Sequence, residues 1–295
     1  VTTGFLERLL EEFRREDVDL VTLDEALLRM KSEPSGRPFL AVTFDDGYRD
    51  NFENAYPILK HFDVPFTVFP CTGFVDRTTP IWWLSLEAIL CANKTLSLAK
   101  LGTEEQIQVS SSKEKWSAFN VVARFLRSLP HYEGLERFRA FAEDHDHDAF
   151  NLVDTVMADW PMIRDAASDP IVSIGAHTIT HPMLASLTPD EARSEMIGGA
   201  DRIEEMIGRR PLHIAYPYGF QEAVGEREVA LAQECGFEVA FTTRKGLLYR
   251  EHLKHTLALP RVSVNGYYQD MNAMRALLSG LPFFLANRFN RIATV

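Results

Sequence analysis

The feature that most constrains this chain is the apolar run at residues 39–44, Phe-Leu-Ala-Val-Thr-Phe, which stops abruptly at Asp45-Asp46-Gly47. An apolar run without polar alternation fits a strand buried on both faces, as in a parallel sheet covered by helices. Active sites of such proteins lie beyond the carboxyl ends of strands, where these two carboxylates fall. Successive strand side chains point to opposite faces, so Asp45 and Asp46 can serve one site only if the chain turns there. Gly47 permits that turn. An isolated Asp-Asp-Gly is also a common turn with no chemistry attached.

The flanking segments repeat an alternation of helix and strand. Phe5, Leu6, Leu9, Leu10 and Phe13 recur at helical spacing, residues 18–23 predict a short strand, and Thr22 with Glu25 forms a capping box opening a helix over 25–31. A Ser/Pro/Gly loop at 32–38 precedes the apolar run, and a helix at 50–62 and a strand at 65–69 follow it. Between about 75 and 170 clear strands vanish, and helical patches occupy 82–91, 113–129, 135–143 and 153–167. Strands at 171–176, 212–216, 237–242 and 258–264 then alternate with helices at 189–207 and 226–235. The reading is one α/β domain over 1–295 carrying a helical insertion at about 75–170.

The formal net charge of −11 argues against nucleic acid as a partner and disfavours an anionic membrane surface. Cys71, Cys91 and Cys235 are far apart, which suits a reducing compartment better than a disulfide framework. No apolar run approaches the roughly 20 residues that span a bilayer. A cytoplasmic location is therefore expected, and an exported one is compatible if an N-terminal signal has been removed.

A second cluster, His177-Thr178-Ile179-Thr180-His181-Pro182, also follows a buried-strand pattern. Four-residue separation places both imidazoles on one side of a helical turn, an arrangement suited to two nitrogen ligands on one cation. Thr178 stands where His-Glu-x-x-His would carry its glutamate, so Asp45 or Asp46 must supply any carboxylate base. Two histidines at this spacing also fit helix capping or core packing. The joint occurrence of both motifs at strand ends favours a hydrolytic metal centre.

Thr-Phe-Asp-Asp-Gly followed by His-Thr-x-x-His-Pro resembles the polysaccharide deacetylase family with the NodB-type domain, carbohydrate esterase family 4, over about residues 39–264. The resemblance implies a distorted (β/α) barrel of about seven parallel strands. It implies removal of N-acetyl groups from N-acetylhexosamine residues of a glycan or glycoconjugate. It makes Asp45 the general base, and Asp46, His177 and His181 the ligands of one divalent cation. Zinc suits two imidazoles and a carboxylate best, with cobalt, nickel, manganese or iron also compatible. The family's third motif, Arg-x-Pro-Tyr, aligns with Ala215-Tyr216-Pro217-Tyr218, so the backbone N–H of Tyr218 is the expected oxyanion donor.

Ala215 replaces the arginine that orients the base, and Arg261, in Leu259-Pro260-Arg261, is the candidate to replace it from another strand. The family's late acid histidine has no counterpart: His252 and His255 read as solvated loop residues. Asp45, once protonated, can itself return the proton. Two other readings are an amidohydrolase of the same fold acting on a cyclic imide or ureide, and a non-catalytic glycan-binding relative. Asp144-His145-Asp146-His147-Asp148 reads as a solvated acidic loop, and Trp82 or Trp83 as packing the insertion against the barrel.

Overall fold

The computed structural model describes residues 1–32 and 36–295. Part of the loop expected at 32–38 therefore lies outside the described residues. Two compact units are present, one of Val1–Thr72 with Ala158–Val295 and the other of Gly73–Met157. In chain order the strands are β1 (Asp19–Leu20), β2 (Phe39–Leu40), β3 (Val42–Asp46), β4 (Phe66–Pro70), β5 (Thr95–Ser97), β6 (Gln106–Gln108), β7 (Val172–Ile174), β8 (His213–Ala215), β9 (Val239–Lys245) and β10 (Leu259–Arg261).

The first unit is α/β, and its strand pairs among the described residues are parallel. β3 pairs with β4 and β4 with β7, placing Val42 opposite Phe66 and Phe66 opposite Val172. A parallel bridge between Ala176 and Ile214 carries the order on to β8, which continues through β9 to β10. β1 and β2 form a separate parallel pair. Every residue of β4 is buried, as a strand covered on both faces requires. Phe69, Ala215, Val239, Phe241 and Leu259 form one core cluster of this unit.

Around the strands, Thr3–Arg15 is a helix that buries Phe5, Leu9, Leu10 and Phe13, the stripe expected from spacing. Pro189–Ile207 starts at a capping box of Thr188 and Glu191. The strand expected at 18–23 shrinks to two residues because Thr22 instead caps helix Leu23–Lys31. The run at 39–44 is interrupted at Ala41 and extends to Asp46. At 50–62 a π-turn over Asn51–Ala55 precedes the α-helix Tyr56–His61; Pro57 lacks the N–H that an unbroken helical ladder would need.

The second unit begins and ends earlier than the insertion expected at 75–170. The expected helix at 153–167 is broken into Val153–Val156 and Trp160–Ala167, because Asp159 caps the latter and Pro161 sits in its first turn. Trp160–Ala167 belongs to the first unit, where the Ala158 N–H also donates to the Gly47 carbonyl. Within the second unit, helices Trp82–Ala92, Ser112–Ser128 and His131–Glu143 enclose Leu86, Ile89, Val122, Phe138 and Phe141. Trp82 lies against Phe119 and Phe138 of the same unit, and Trp83 against Phe74.

An antiparallel pair, β5 with β6, also lies there; three-residue strands are too short to show a period in sequence. The Asp-His tract is only partly the solvated loop expected. Asp144, Asp146 and Asp148 are exposed, but the His145 ring packs on Phe141, and its Nε2 accepts the Ser97 N–H at 3.1 Å.

Gly175, just after β7, marks where the core approaches the site. A Cβ there would sit 2.2 Å from the Phe69 ring and 3.1 Å from the His213 carbonyl. Gly175→Ala is therefore expected to destabilise the fold by about 1–3 kcal/mol through overpacking, measured as a lowered midpoint in denaturant unfolding.

Candidate active site

Four strand ends supply the site. Asp45 and Asp46 close β3, His177 follows β7 by three residues, Tyr218 follows β8 by three, and Arg261 closes β10. All lie at carboxyl ends, as parallel α/β architecture predicts.

The turn expected at Gly47 begins one residue earlier. Asp46 has φ +69° and Gly47 φ +82°, and the Gly47 N–H donates to the Asp45 carbonyl at 2.9 Å. A non-glycine residue in that region costs on the order of 1–3 kcal/mol and is held only by its surroundings. The two carboxylates consequently meet different partners. Asp46 Oδ1 lies 3.2 Å from Nε2 of His177 and 3.2 Å from Nε2 of His181.

Asp45 is gripped by Arg261. Nη1 donates to Oδ1 at 2.8 Å and Nη2 to Oδ2 at 2.6 Å, a bidentate fork that fixes the carboxylate plane. Arg261 is itself held by the Thr43 hydroxyl at 3.3 Å and the Thr242 carbonyl at 3.2 Å, with its guanidinium over the Phe241 ring.

The histidines do not sit on a helix. Residues 177–183 form a loop in which Thr178 has φ +63° and His181 φ +58°. The sequence carried a signal against the helix: His181 precedes Pro182, whose ring disfavours α geometry in the residue before it. His177 is buried, and its Nδ1 donates to the Ala215 carbonyl at 2.6 Å. That bond places a proton on Nδ1 and turns Nε2 toward Asp46. The Tyr218 ring stands edge-on to His181 with centroids 4.8 Å apart. Tyr218 has φ +61°, with its carbonyl accepting the Thr243 hydroxyl at 2.6 Å.

Asp46, His177 and His181 fit a divalent cation: their three ligand atoms lie within 4.8 Å of one another. Metal bonds of about 2.0–2.2 Å place adjacent ligand atoms about 3–3.5 Å apart, which matches the two 3.2 Å separations. Burial alone would raise both carboxyls. At Asp46 the charge of His181 and hydrogen bonds from both imidazoles outweigh it and hold the group well below the carboxylate range. At Asp45 the Arg261 charge and hydrogen bonds do the same. His177 shifts the other way: burial lowers it, but its hydrogen bond to Asp46 and the two neighbouring carboxylates raise it.

His252 is buried, contrary to the expectation of a solvated histidine, because it folds back to cap its own turn, with Nδ1 accepting the Tyr249 N–H at 2.9 Å. His255 is exposed as expected. One residue that sequence reading missed is Glu195, on helix Pro189–Ile207, which binds the histidine loop. The adjacent Gly198-Gly199 in mid-helix was its one legible sign, since interior helical glycines often mark a close approach.

A family model described as polysaccharide deacetylase matches residues 32–117 and 138–240. Over 77 residues, the chain is 32% identical to the poly-beta-1,6-N-acetyl-D-glucosamine N-deacetylase of Staphylococcus aureus, covering 26% of this chain and 27% of that protein. The matched segments span about a quarter or less of the curated relatives. Among solved structures, IcaB from Ammonifex degensii superposes with a TM-score of 0.58 at 19% identity, covering 94% of this chain and 90% of the other. The Streptococcus pyogenes deacetylase PplD in complex with acetate gives 0.56 at 17% identity, with 95% and 87% covered. At such identities the two structures speak to the fold, which is the same.

Proposed function

Since this chain belongs to the polysaccharide deacetylase family, we propose that it is a metal-dependent N-deacetylase of N-acetylhexosamine residues in a glycan or glycoconjugate. The observation that carries this reading is the separation of two adjacent carboxylates into different roles: Asp46 faces two imidazoles, while Asp45 is bound by Arg261. A site for binding alone would need the first arrangement and not the second.

In the proposed reaction Asp46, His177 and His181 hold the cation, with zinc as the best match to the donor set. When bound, it supplies a Lewis acid that polarises the acetamide carbonyl and makes water acidic. Asp45, kept ionised and aimed by Arg261, takes a proton from water as the water oxygen bonds to the carbonyl carbon. The Tyr218 N–H donates to the oxygen that becomes negative. The C–N bond then breaks, the proton on Asp45 passes to the departing nitrogen, and the products are acetate and a free amine. His252 is engaged in its own turn and His255 has no assigned part, so Asp45 serves as both base and acid.

The fold reading extends the same way. With β2 and β3 counted as one strand interrupted at Ala41, we read the seven parallel strands as a distorted barrel, a reading supported by their parallel pairing. The Arg261–Asp45 fork ties β10 to β3.

The test is acetate release from β-1,6-linked N-acetylglucosamine oligomers, chosen because of the Staphylococcus relative, followed by peptidoglycan fragments and chitin oligomers. Release is expected with zinc, falls to background with a chelator and returns when zinc is restored. Metal-loaded protein that frees no acetate from any of these, yet opens a cyclic imide or ureide, would sink the assignment.

A further inference from the structure

The loop carrying His177 and His181 is an unfavourable conformation that a neighbouring helix helps to hold. Thr178 and His181 both lie in the left-handed region, at about 1–2 kcal/mol each for non-glycine residues. Inside the loop, the Thr178 hydroxyl accepts the His181 N–H at 3.2 Å. Further constraints come from outside. Glu195, 1% exposed, accepts the backbone N–H groups of Ile179 and Thr180 on Oε2, both at 2.9 Å, and the Thr180 hydroxyl on Oε1 at 2.5 Å. One carboxylate thus binds three donors lying between the two histidines.

The helix bearing Glu195 is pressed against the same loop. A Cβ on Gly199 would meet the Thr178 backbone at 2.9 Å, and one on Gly198 would meet the Ile179 side chain at 2.5 Å. Gly198 and Gly199 allow the approach, and Glu195, one turn earlier, fixes the loop's orientation. The Cys71 thiol and the Thr72 N–H also donate to the Ile179 and Thr178 carbonyls.

We infer that Glu195 is a positioning residue for the metal centre: by clamping residues 179 and 180 it presets the His177 and His181 Nε2 atoms on Asp46 for a divalent cation. This rests on the metal reading above. Partners that orient first ligands from behind are typically worth about 10–100-fold in metal affinity.

The experiment titrates metal-free full-length protein with Co²⁺, following its visible absorption, then competes Zn²⁺ against it, with the unfolding temperature of each metal-free variant measured alongside. Glu195→Ala is expected to weaken Co²⁺ binding by about 10–100-fold and to alter the absorption envelope. Glu195→Gln keeps an oxygen for the backbone donors but turns an amide toward Thr180, and falls between wild type and Glu195→Ala. Glu12→Ala removes a buried acid paired with Arg15 and Arg275, and keeps wild-type affinity despite a stability loss.

Glu195→Ala with wild-type affinity and spectrum overturns the inference, as does Glu12→Ala weakened equally for the same fall in unfolding temperature. Should Glu195→Ala not fold, Glu195→Gln with wild-type affinity overturns it. A wild-type protein that binds neither metal overturns the metal reading together with this one. Wild type and Glu195→Ala binding equally well overturns only the clamp.

Discussion

Asp45→Asn is expected to lower acetate release by about 10²–10⁴-fold while the protein still binds one divalent ion. The asparagine has nearly the shape of the aspartate but cannot accept a proton from water, and a positioned base typically contributes a factor of that size. Metal binding should survive because the Asp46 side chain, not that of Asp45, faces His177 and His181. Paired measurements of metal content and initial rate check this. Asp46→Asn should give the opposite pattern, with metal affinity lost first and activity lost with it. Equal rates for wild type and metal-loaded Asp45→Asn would remove Asp45 from proton transfer.

Much of this site was legible because its parts sit at the ends of strands that announce themselves. The run before Asp45 is apolar and stops at a polar turn, although every residue of β3 is half-buried rather than covered, and in β7, before His177, only Val172 is fully buried. Helix 189–207 was readable because Thr188, Pro189 and Glu191 mark its start and Gly208, at φ +79°, its end. What escaped was set by contacts remote in sequence. A separation of four looks helical for any two histidines, yet their loop is decided by Glu195, 14 residues beyond His181, and by the room left at Gly199. The second unit was misbounded because Asp159 and Pro161 start a new helix within what looked like one amphipathic stretch.

Arg261→Ala is expected to lower kcat/KM by about 10²-fold and to move the acid limb of its pH profile to higher pH. The fork spans 216 positions of sequence, and hydrogen bonds to a charged group are worth about 1.5–3 kcal/mol, or roughly 10–10²-fold in rate. The sign follows from the opposing influences on Asp45. Burial pushes its carboxyl up, and the Arg261 charge and hydrogen bonds more than offset that. A base must be ionised to act, so removing the cation lets the carboxyl rise and shrinks the active fraction at low pH.

Arg261→Lys separates charge from geometry: an ammonium keeps the acid limb near its wild-type position but lacks the fork, so only part of the rate returns. Ala215, where the family motif places its arginine, is fully buried, and its carbonyl holds His177 Nδ1. Arg261 reaches Asp45 from β10 instead, so an Arg261→Ala enzyme with wild-type rate and pH profile would mean that Asp45 needs no cation to orient it.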